Sequence, residues 1–201
     1  MRLLLATRNG KKLAELQRIL DAALGAGQVK LVGLADVPAY AETPETGLTF
    51  TENALLKARD GAAQTGLPTV ADDSGLAVDA LGGMPGVFSA RWSGRHGDDE
   101  ANLRLVLAQL SDVDDIHLGA RFVCSAALVL PGGAEFTTSG EMPGRLVRQP
   151  RGSGGFGYDP IFVADGNTVT NAELTPEQKD AISHRGKAFR ALAETIRTQV
   201  G

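Results

Sequence analysis

The chain has 201 residues, of which 43% are hydrophobic and 22% charged, and 24 acidic against 20 basic residues give a formal charge of −4. This length suffices for one large domain with a sizeable core. The negative balance gives no general case for binding long nucleic acids or anionic membranes, and no apolar run approaches the roughly 18 residues that span a bilayer. We therefore expect no nucleic-acid partner and no membrane partner.

The start of the chain predicts a strand, a turn and a helix. Residues 3–6 are apolar and indicate a buried strand, which Asn9 and Gly10 break. Apolar residues at helical spacing then predict a helix that ends at Gly25. Since polar residues follow the first apolar run too soon for a secretion signal, we expect a cytoplasmic protein.

The next part of the chain alternates between extended and helical patterns. Residues 29–32 predict a second strand, and residues 34–47 predict a loop. Residues 49–52 fit a capping box that starts a helix ending at Gly66. Residues 70–78 contain two short apolar runs of the kind found in buried strands.

The second half of the chain predicts helices around a β-hairpin. Residues 98–110 predict an amphipathic helix, and residues 121–130 and 135–140 predict the two hairpin strands. A short helix starts at residues 175–177, and residues 183–200 predict a closing helix. We therefore expect an α/β protein with a mixed, twisted central sheet flanked by helices.

Two adjacent carboxylates and a hydroxyl, Asp72, Asp73 and Ser74, separate the two apolar runs. Burying neighbouring carboxylates is unfavourable unless a cation or a donor compensates them. In an extended chain their side chains point to opposite faces, so one ion would not take both unless the strand ends there. We predict a magnesium site for phosphate chemistry, in which one carboxylate binds the metal and the other orients a ligand or activates water.

Residues 7–12, Thr-Arg-Asn-Gly-Lys-Lys, lie where the first strand gives way to the first helix. Exposed backbone N–H groups there, with Lys12 in the first turn, would make an anion site. A solvated turn with ordinary surface lysines is the alternative. No G-x-x-x-x-G-K-[ST] sequence occurs in the chain, so the motif is not a P-loop.

Residues 152–157 match the pattern G-x-G-x-x-G, but their context is not that of a dinucleotide-binding fold. That fingerprint requires a strand before it and a helix after it, and Pro160 prevents a helix from continuing out of this loop. We interpret the segment as a flexible loop that presents Phe156 and Tyr158 for stacking on a flat base. A turn anchored in the core by Phe156 is the alternative.

The remaining candidates have weaker signals. His184 and Arg185 open the last predicted helix, where basic residues are unfavourable, and this slightly favours function over solvated charges. Lys57 and Glu45, taken alone, are typical of surface residues. Cys124 is the single cysteine and lies in an apolar run, so we favour a packed thiol over a nucleophile.

Together these motifs resemble the inosine triphosphate pyrophosphatase family, whose members remove non-canonical purine nucleotides. The segments that carry the resemblance run nearly from end to end: residues 7–12, 45–50, 52–54, 57–59, 71–76, 82–86, 89–91, 154–160 and 183–186. Each is weak alone, but their order and spacing are highly specific. The resemblance implies one domain over residues 1–201, built of two lobes with the active-site cleft between them, and a homodimer.

The resemblance also implies Mg²⁺-dependent hydrolysis of dITP, ITP or XTP to the monophosphate and pyrophosphate. Its catalytic group comprises Asp73 as proton acceptor, Asp72 and Lys57, and its metal ligands are Glu45 and Asp73. The positions that match triphosphate-binding residues are Thr7, Arg8, Asn9, Gly10, Lys11, Lys12, Lys57 and Lys179. The positions that match nucleoside contacts are Ser74, Phe156, Gly157, Tyr158, Asp159, His184 and Arg185.

Elementary chemistry makes this assembly reasonable. Mg²⁺ prefers oxygen ligands, polarises a phosphate and lowers the pKa of an attacking water, while lysines offset the charge of the leaving pyrophosphate. Hypoxanthine and xanthine carry a 6-oxo acceptor where adenine carries an amino donor, so protein donors would distinguish them. Two alternatives stay open: a non-catalytic purine nucleotide sensor, and a general nucleoside triphosphate phosphatase.

Overall fold

The computed structural model describes residues 2–7 and 10–200, without the side chain of Lys11. The predicted site residues Arg8 and Asn9 lie outside the described residues. Within the described residues the helices are α1 (Gly10–Leu24), α2 (Phe50–Thr65), α3 (Asp99–Gln109), α4 (Pro176–Ile182) and α5 (His184–Val200). The strands are β1 (Arg2–Leu5), β2 (Lys30–Val32), β3 (Thr69–Val78), β4 (Gly119–Val129), β5 (Glu135–Leu146) and β6 (Phe162–Ala164). None of these helices is both long and apolar enough to cross a membrane.

The strands form one mixed sheet in the order β2-β1-β3-β4-β5-β6. β1 pairs in parallel with both β2 and β3, and Leu4 lies opposite Thr69 in the second pair. β5 and β6 are antiparallel, with Arg145 opposite Val163. The mixed sheet confirms the predicted α/β class. The sequence analysis assigned no strand to the residues of β6.

The predicted interruption of the third strand is wrong. β3 runs without a break from Thr69 to Val78, so Asp72 and Asp73 lie in its middle. All its residues except the half-buried Ser74 are buried. A strand can continue through two carboxylates when each has its own polar partners, and this is the case here.

The ends of other elements also differ from the predictions. β5 continues to Leu146, beyond the predicted limit at residue 140. The closing helix begins at His184, because Ser183 has an extended backbone (φ −63°, ψ 148°) that separates α4 from α5. The α2 helix agrees with its predicted signals: Thr49 accepts from the Glu52 N–H, and Gly66 ends the helix at φ 67°.

The chain forms two compact units. The first comprises Met1–Asp73, Cys124–Gly140 and His184–Gly201. Its largest apolar cluster joins side chains from β1, α1, β4 and α5, among them Leu3, Leu16, Leu20, Leu128, Phe189, Leu192 and Ile196. The second comprises Ser74–Val123 and Glu141–Ser183. Its core includes Leu76, Val106, Leu110, Phe122, Met142, Leu146 and Phe162.

Small residues bring α2 close to the sheet within the first unit. Three alanines of α2 pack with alanines of β3 and β4: Ala54, Ala58 and Ala62 with Ala71 and Ala127. A Cβ added at Gly61 would lie only 2.7 Å from Cγ2 of Thr69. This close packing places the polar residues of α2, Asn53 and Lys57, within reach of β3.

Candidate active site

The two adjacent carboxylates of β3 are both buried: Asp72 is 2% exposed and Asp73 7%. Successive side chains of a strand point to opposite faces. The two carboxylates accordingly contact different sets of side chains, all within the first unit. Each therefore has its own charge environment.

Asp72 lies in a charge-balanced cluster. Its Oδ2 accepts from Nζ of Lys12 at 2.9 Å and from Nε of Arg185 at 3.1 Å. Arg185 also donates through Nη1 to both carboxylate oxygens of Glu15, at 3.0 and 3.1 Å. Two carboxylates and two cations thus offset each other, and Arg185 is only 1% exposed.

Charge compensation keeps Asp72 ionised. Burial by itself would raise the pKa of Asp72, but the charges of Lys12 and Arg185 outweigh it and hold that pKa well below its usual range. The pKa of Arg185 is correspondingly raised, because Asp72 and Glu15 more than offset its desolvation.

Asp73 lies in a second cluster, with Glu45, Lys57 and Asn53. Nζ of Lys57 donates to Oδ1 of Asp73 and to Oε1 of Glu45, both at 3.1 Å. Nδ2 of Asn53 donates to Oδ2 of Asp73 at 3.1 Å. The carboxylates of Asp73 and Glu45 therefore both bind the ammonium group of Lys57.

The pKa values of Asp73 and Lys57 in this second cluster are both raised. Burial raises the pKa of Asp73, helped by the nearby charge of Glu45 and opposed by Lys57. Burial would lower the pKa of Lys57, but the charges of Asp73, Asp72 and Glu45 raise it above its ordinary value. Asp73 is thus the better proton acceptor of the two aspartates, since its pKa is raised where that of Asp72 is lowered.

Asn53 connects the loop before α2 to Asp73. Its side chain is fully buried, and its Oδ1 accepts from the N–H of Gly47 at 2.8 Å. A Cβ added at Gly47 would lie 2.7 Å from that oxygen, so a larger residue would not fit without movement. The single amide therefore fixes the position of this loop, which carries Glu45, relative to Asp73.

The structure partly describes the predicted phosphate motif at residues 7–12. Thr7 donates its N–H to the carbonyl of Leu5 at 2.8 Å, and α1 begins at Gly10. Within the described residues, Lys12 is the residue of this motif that contacts a candidate carboxylate, that of Asp72. The prediction that this motif binds phosphate stays a prediction.

The second unit holds the predicted aromatic loop. Phe156 is half-buried, and its N–H donates to Oδ2 of Asp159 at 2.9 Å. Nζ of Lys179 lies 2.5 Å from the same oxygen and 5.0 Å from the centre of the Phe156 ring. Lys179, predicted to bind triphosphate, is therefore bound to Asp159. Gly157 donates its N–H to Asp99 at 2.8 Å.

The prediction that Tyr158 presents its ring for stacking is wrong. Tyr158 is 4% exposed and belongs to the core of the second unit. Its hydroxyl donates to the carbonyl of Ser89 at 2.9 Å, and burial raises its pKa. An aromatic ring with a satisfied hydroxyl is stable in a core, and the sequence does not reveal this pairing.

His184 and Arg185 are both buried at the start of α5, with 4% and 1% exposure. Arg185 was predicted to contact the nucleoside, whereas its guanidinium binds Glu15 and Asp72. Cys124 is free and buried, as predicted, with its Sγ 4.0 Å from Oδ2 of Asp72. Burial raises the pKa of the Cys124 thiol, which argues against a nucleophilic role.

The sequence analysis missed the role of Glu15. The available signal was its spacing from Lys12, because residues three apart lie on one face of a helix. Both side chains extend from α1 into the Asp72 cluster, Lys12 directly and Glu15 through Arg185. Because Glu15 is buried (6% exposed) among apolar residues of the helix, its charge requires a buried cationic side chain as partner.

Within residues 2–7 and 10–200, no three His, Cys, Asp or Glu side chains are grouped so that they could hold a metal ion. The Asp73 cluster offers two carboxylates, Asp73 and Glu45, joined by one lysine. Mg²⁺ typically binds through one or two carboxylates, with waters and substrate phosphates supplying the rest. The two carboxylates therefore fit a magnesium ion.

The chain is similar to known proteins over nearly its whole length. Residues 3–195 match the model of the Ham1 family. A protein named dITP/XTP pyrophosphatase from Nocardia farcinica is 68% identical over 195 residues, covering 97% of this chain and 94% of the relative. A crystal structure of a nucleoside-triphosphatase / dITP/XTP pyrophosphatase from Mycobacterium abscessus has 60% identity and a TM-score of 0.77, covering 96% of this chain and 98% of that one. A HAM1 protein structure from Coxiella burnetii has 42% identity and a TM-score of 0.85, covering 98% and 99%.

Proposed function

The chain belongs to the Ham1 family, and we propose that it is a dITP/XTP pyrophosphatase, as its relatives of that name are. The family resemblance inferred from the sequence motifs is thereby confirmed. The reaction we propose is hydrolysis of the bond between the α- and β-phosphates, which yields the nucleoside monophosphate and pyrophosphate. The observation that carries this proposal is the cluster of Asp73, Glu45 and Lys57, in which one lysine donates to two carboxylates.

We assign the metal to the Asp73 cluster. Asp73 and Glu45 would hold Mg²⁺, because their two carboxylates meet at one lysine and Mg²⁺ prefers carboxylate oxygens as ligands. When bound there, the ion supplies a Lewis acid for the phosphates and lowers the pKa of coordinated water. Asp72 is not assigned to the metal, since Lys12 and Arg185 already balance it.

The carboxylates of β3 have separate roles in this proposal. Asp73 accepts the proton of the attacking water. Lys57 and Asn53 hold the Asp73 carboxylate in place from α2. Asp72 orients Lys12, whose ammonium group would bind phosphate oxygens of the substrate.

Base recognition is assigned to the loop at residues 156–159, as the sequence resemblance implies. The half-buried ring of Phe156 offers a surface for stacking. A protein donor placed against the base would favour the 6-oxo group of hypoxanthine or xanthine over the amino group of adenine. We also propose that the protein is a homodimer. Light scattering tests this proposal, because a homodimer has the mass of two chains.

Product analysis tests the proposal. The protein is incubated with Mg²⁺ and dITP, XTP, dATP or dGTP, and the products are identified. We expect pyrophosphate and the monophosphate, formed faster from dITP and XTP than from the other two. Release of orthophosphate, or equal rates on all four nucleotides, would indicate a general phosphatase. Binding without turnover would indicate a nucleotide sensor.

A further inference from the structure

A buried carboxylate of the second unit holds the loop that carries Phe156. Asp159 is 2% exposed, and its Oδ2 accepts from the N–H of Phe156 at 2.9 Å and from Nζ of Lys179 at 2.5 Å. The loop fits closely over this oxygen, since a Cβ added at Gly155 would lie 2.1 Å from it. The conformation at Phe156 therefore depends on the position of the Asp159 carboxylate.

The other oxygen of that carboxylate is held by Asn171, a residue outside every predicted motif. Nδ2 of Asn171 donates to Oδ1 of Asp159 at 3.3 Å, and Asn171 is 1% exposed. Its own Oδ1 is buried and has no hydrogen-bond partner within residues 2–7 and 10–200. Burying an amide with an unmade hydrogen bond is unfavourable. Packing alone therefore does not explain an asparagine at this buried position. The favourable polar contact of its side chain is the hydrogen bond to Asp159.

The turn that carries Asn171, Asn171–Glu173, supports the same loop through its backbone. The N–H of Gly154 donates to the carbonyl of Ala172 at 2.9 Å. A Cβ added at Gly152 would lie 2.5 Å from that carbonyl. Glu173 stabilises the turn by accepting from the N–H of Thr170 at 2.7 Å. Asn171 therefore lies in a turn whose backbone already contacts the loop.

We propose that Asn171 is a positioning residue for nucleotide binding. By holding Oδ1 of Asp159, it directs the other carboxylate oxygen to Phe156 and Lys179 and so sets the Phe156 ring. Lys179 lies 5.0 Å from the centre of that ring, so one carboxylate orients both the ring and the cation. The inference rests on the proposed function, which assigns this loop to the base. Asn171 acts through Asp159, and its effect falls on binding.

Two variants of Asn171 and one matched control test the proposal. Asn171→Ala removes the donor, and Asn171→Asp replaces it with a carboxylate that repels Asp159. The control is Asn102→Ala, because Asn102 is a buried asparagine (2% exposed) of the same unit whose amide accepts from the N–H of Ser93 and donates to the carbonyl of Ala90. The measurements are hydrogen exchange at the Phe156 amide by NMR without nucleotide, and KM and kcat for dITP.

For Asn171→Ala we expect exchange at Phe156 to accelerate by about three- to tenfold and KM to rise by a similar factor, with kcat within about twofold of wild type. Asn171→Asp should change both quantities more. Asn102→Ala should lower Tm and change neither. Unchanged exchange in Asn171→Ala, or equal changes in Asn102→Ala, would overturn the positioning role, and faster exchange with unchanged KM would overturn its link to nucleotide binding. If wild type hydrolyses neither dITP nor XTP, the proposed function fails, while the exchange result still decides whether Asn171 holds the loop.

Discussion

Nε of Arg185 donates to Oδ2 of Asp72 across 3.1 Å, and both side chains are almost fully buried. The same guanidinium binds Glu15, so Arg185 joins Asp72 to a second carboxylate. The neighbouring Asp73 instead shares Lys57 with Glu45. Two residues adjacent in sequence therefore differ in what they can bind, and the following experiments separate them.

Asp73→Asn should remove most of kcat. An asparagine cannot accept the proton of the attacking water, and general base catalysis typically contributes about 10²- to 10⁴-fold. Nucleotide binding should survive, because Lys12 and Lys57 remain. Steady-state kinetics with dITP measures kcat, and isothermal titration calorimetry with dITP measures nucleotide binding. Loss of binding in a folded variant would instead make Asp73 chiefly a ligand of the metal–nucleotide complex.

Arg185→Met should destabilise the protein by about 3–5 kcal/mol, because it leaves Asp72 and Glu15 buried without their shared cation. Arg59→Met is the matched control. Arg59 also binds a carboxylate through two nitrogens, that of Glu135, but it is half exposed, so its loss should reduce stability by less than about 1 kcal/mol. Urea unfolding measures both. Similar losses for the two variants would contradict the structural role assigned to Arg185.

Stability should depend on pH in opposite directions at the two aspartates of the metal-free protein. The folded-state pKa of Asp72 is lowered, so its ionised form stabilises the fold above the unfolded pKa of about 3.9, and this is lost as the pH falls below that value. The folded-state pKa of Asp73 is raised, so its ionisation destabilises the fold as the pH rises through the same region.

Urea unfolding at pH 3, 5 and 7 in EDTA tests this difference. The stability deficit of Asp72→Asn relative to wild type should grow from pH 3 to pH 7. The stability of Asp73→Asn relative to wild type should instead increase from pH 3 to pH 7. Parallel pH profiles for the two variants would show that their charge environments do not differ as described.

Magnesium should stabilise the folded chain through Glu45. A ligand at a hundredfold excess over its Kd stabilises a protein by about 2.7 kcal/mol. We expect a Mg²⁺-dependent rise in Tm for wild type that Glu45→Gln largely removes. Glu42→Gln changes an exposed residue of the same loop and should keep the rise. An equal response in both variants would exclude Glu45 as a metal ligand.

Local patterns in the sequence predicted much of the fold and the composition of the candidate site. The capping box at Thr49 and Glu52, and Gly66 at the helix end, gave the limits of α2, because these signals act within a few residues. The strand that carries Asp72 and Asp73 was predicted from its apolar residues, although not its unbroken course. β6 was missed, whereas β2, which has the same length, was predicted from its apolar residues.

The sequence by itself determined which residues carry the chemistry: the paired aspartates, Glu45 and Lys57, whose types and order identify the family. Only the tertiary structure decided how their charges are shared. Arg185 reaches Asp72 across 113 residues and Glu15 across 170. No local pattern specifies such pairs, because they depend on how α1, β3 and α5 pack in the first unit. Burial then makes each pairing decisive, since a desolvated charge is stable only beside its partner.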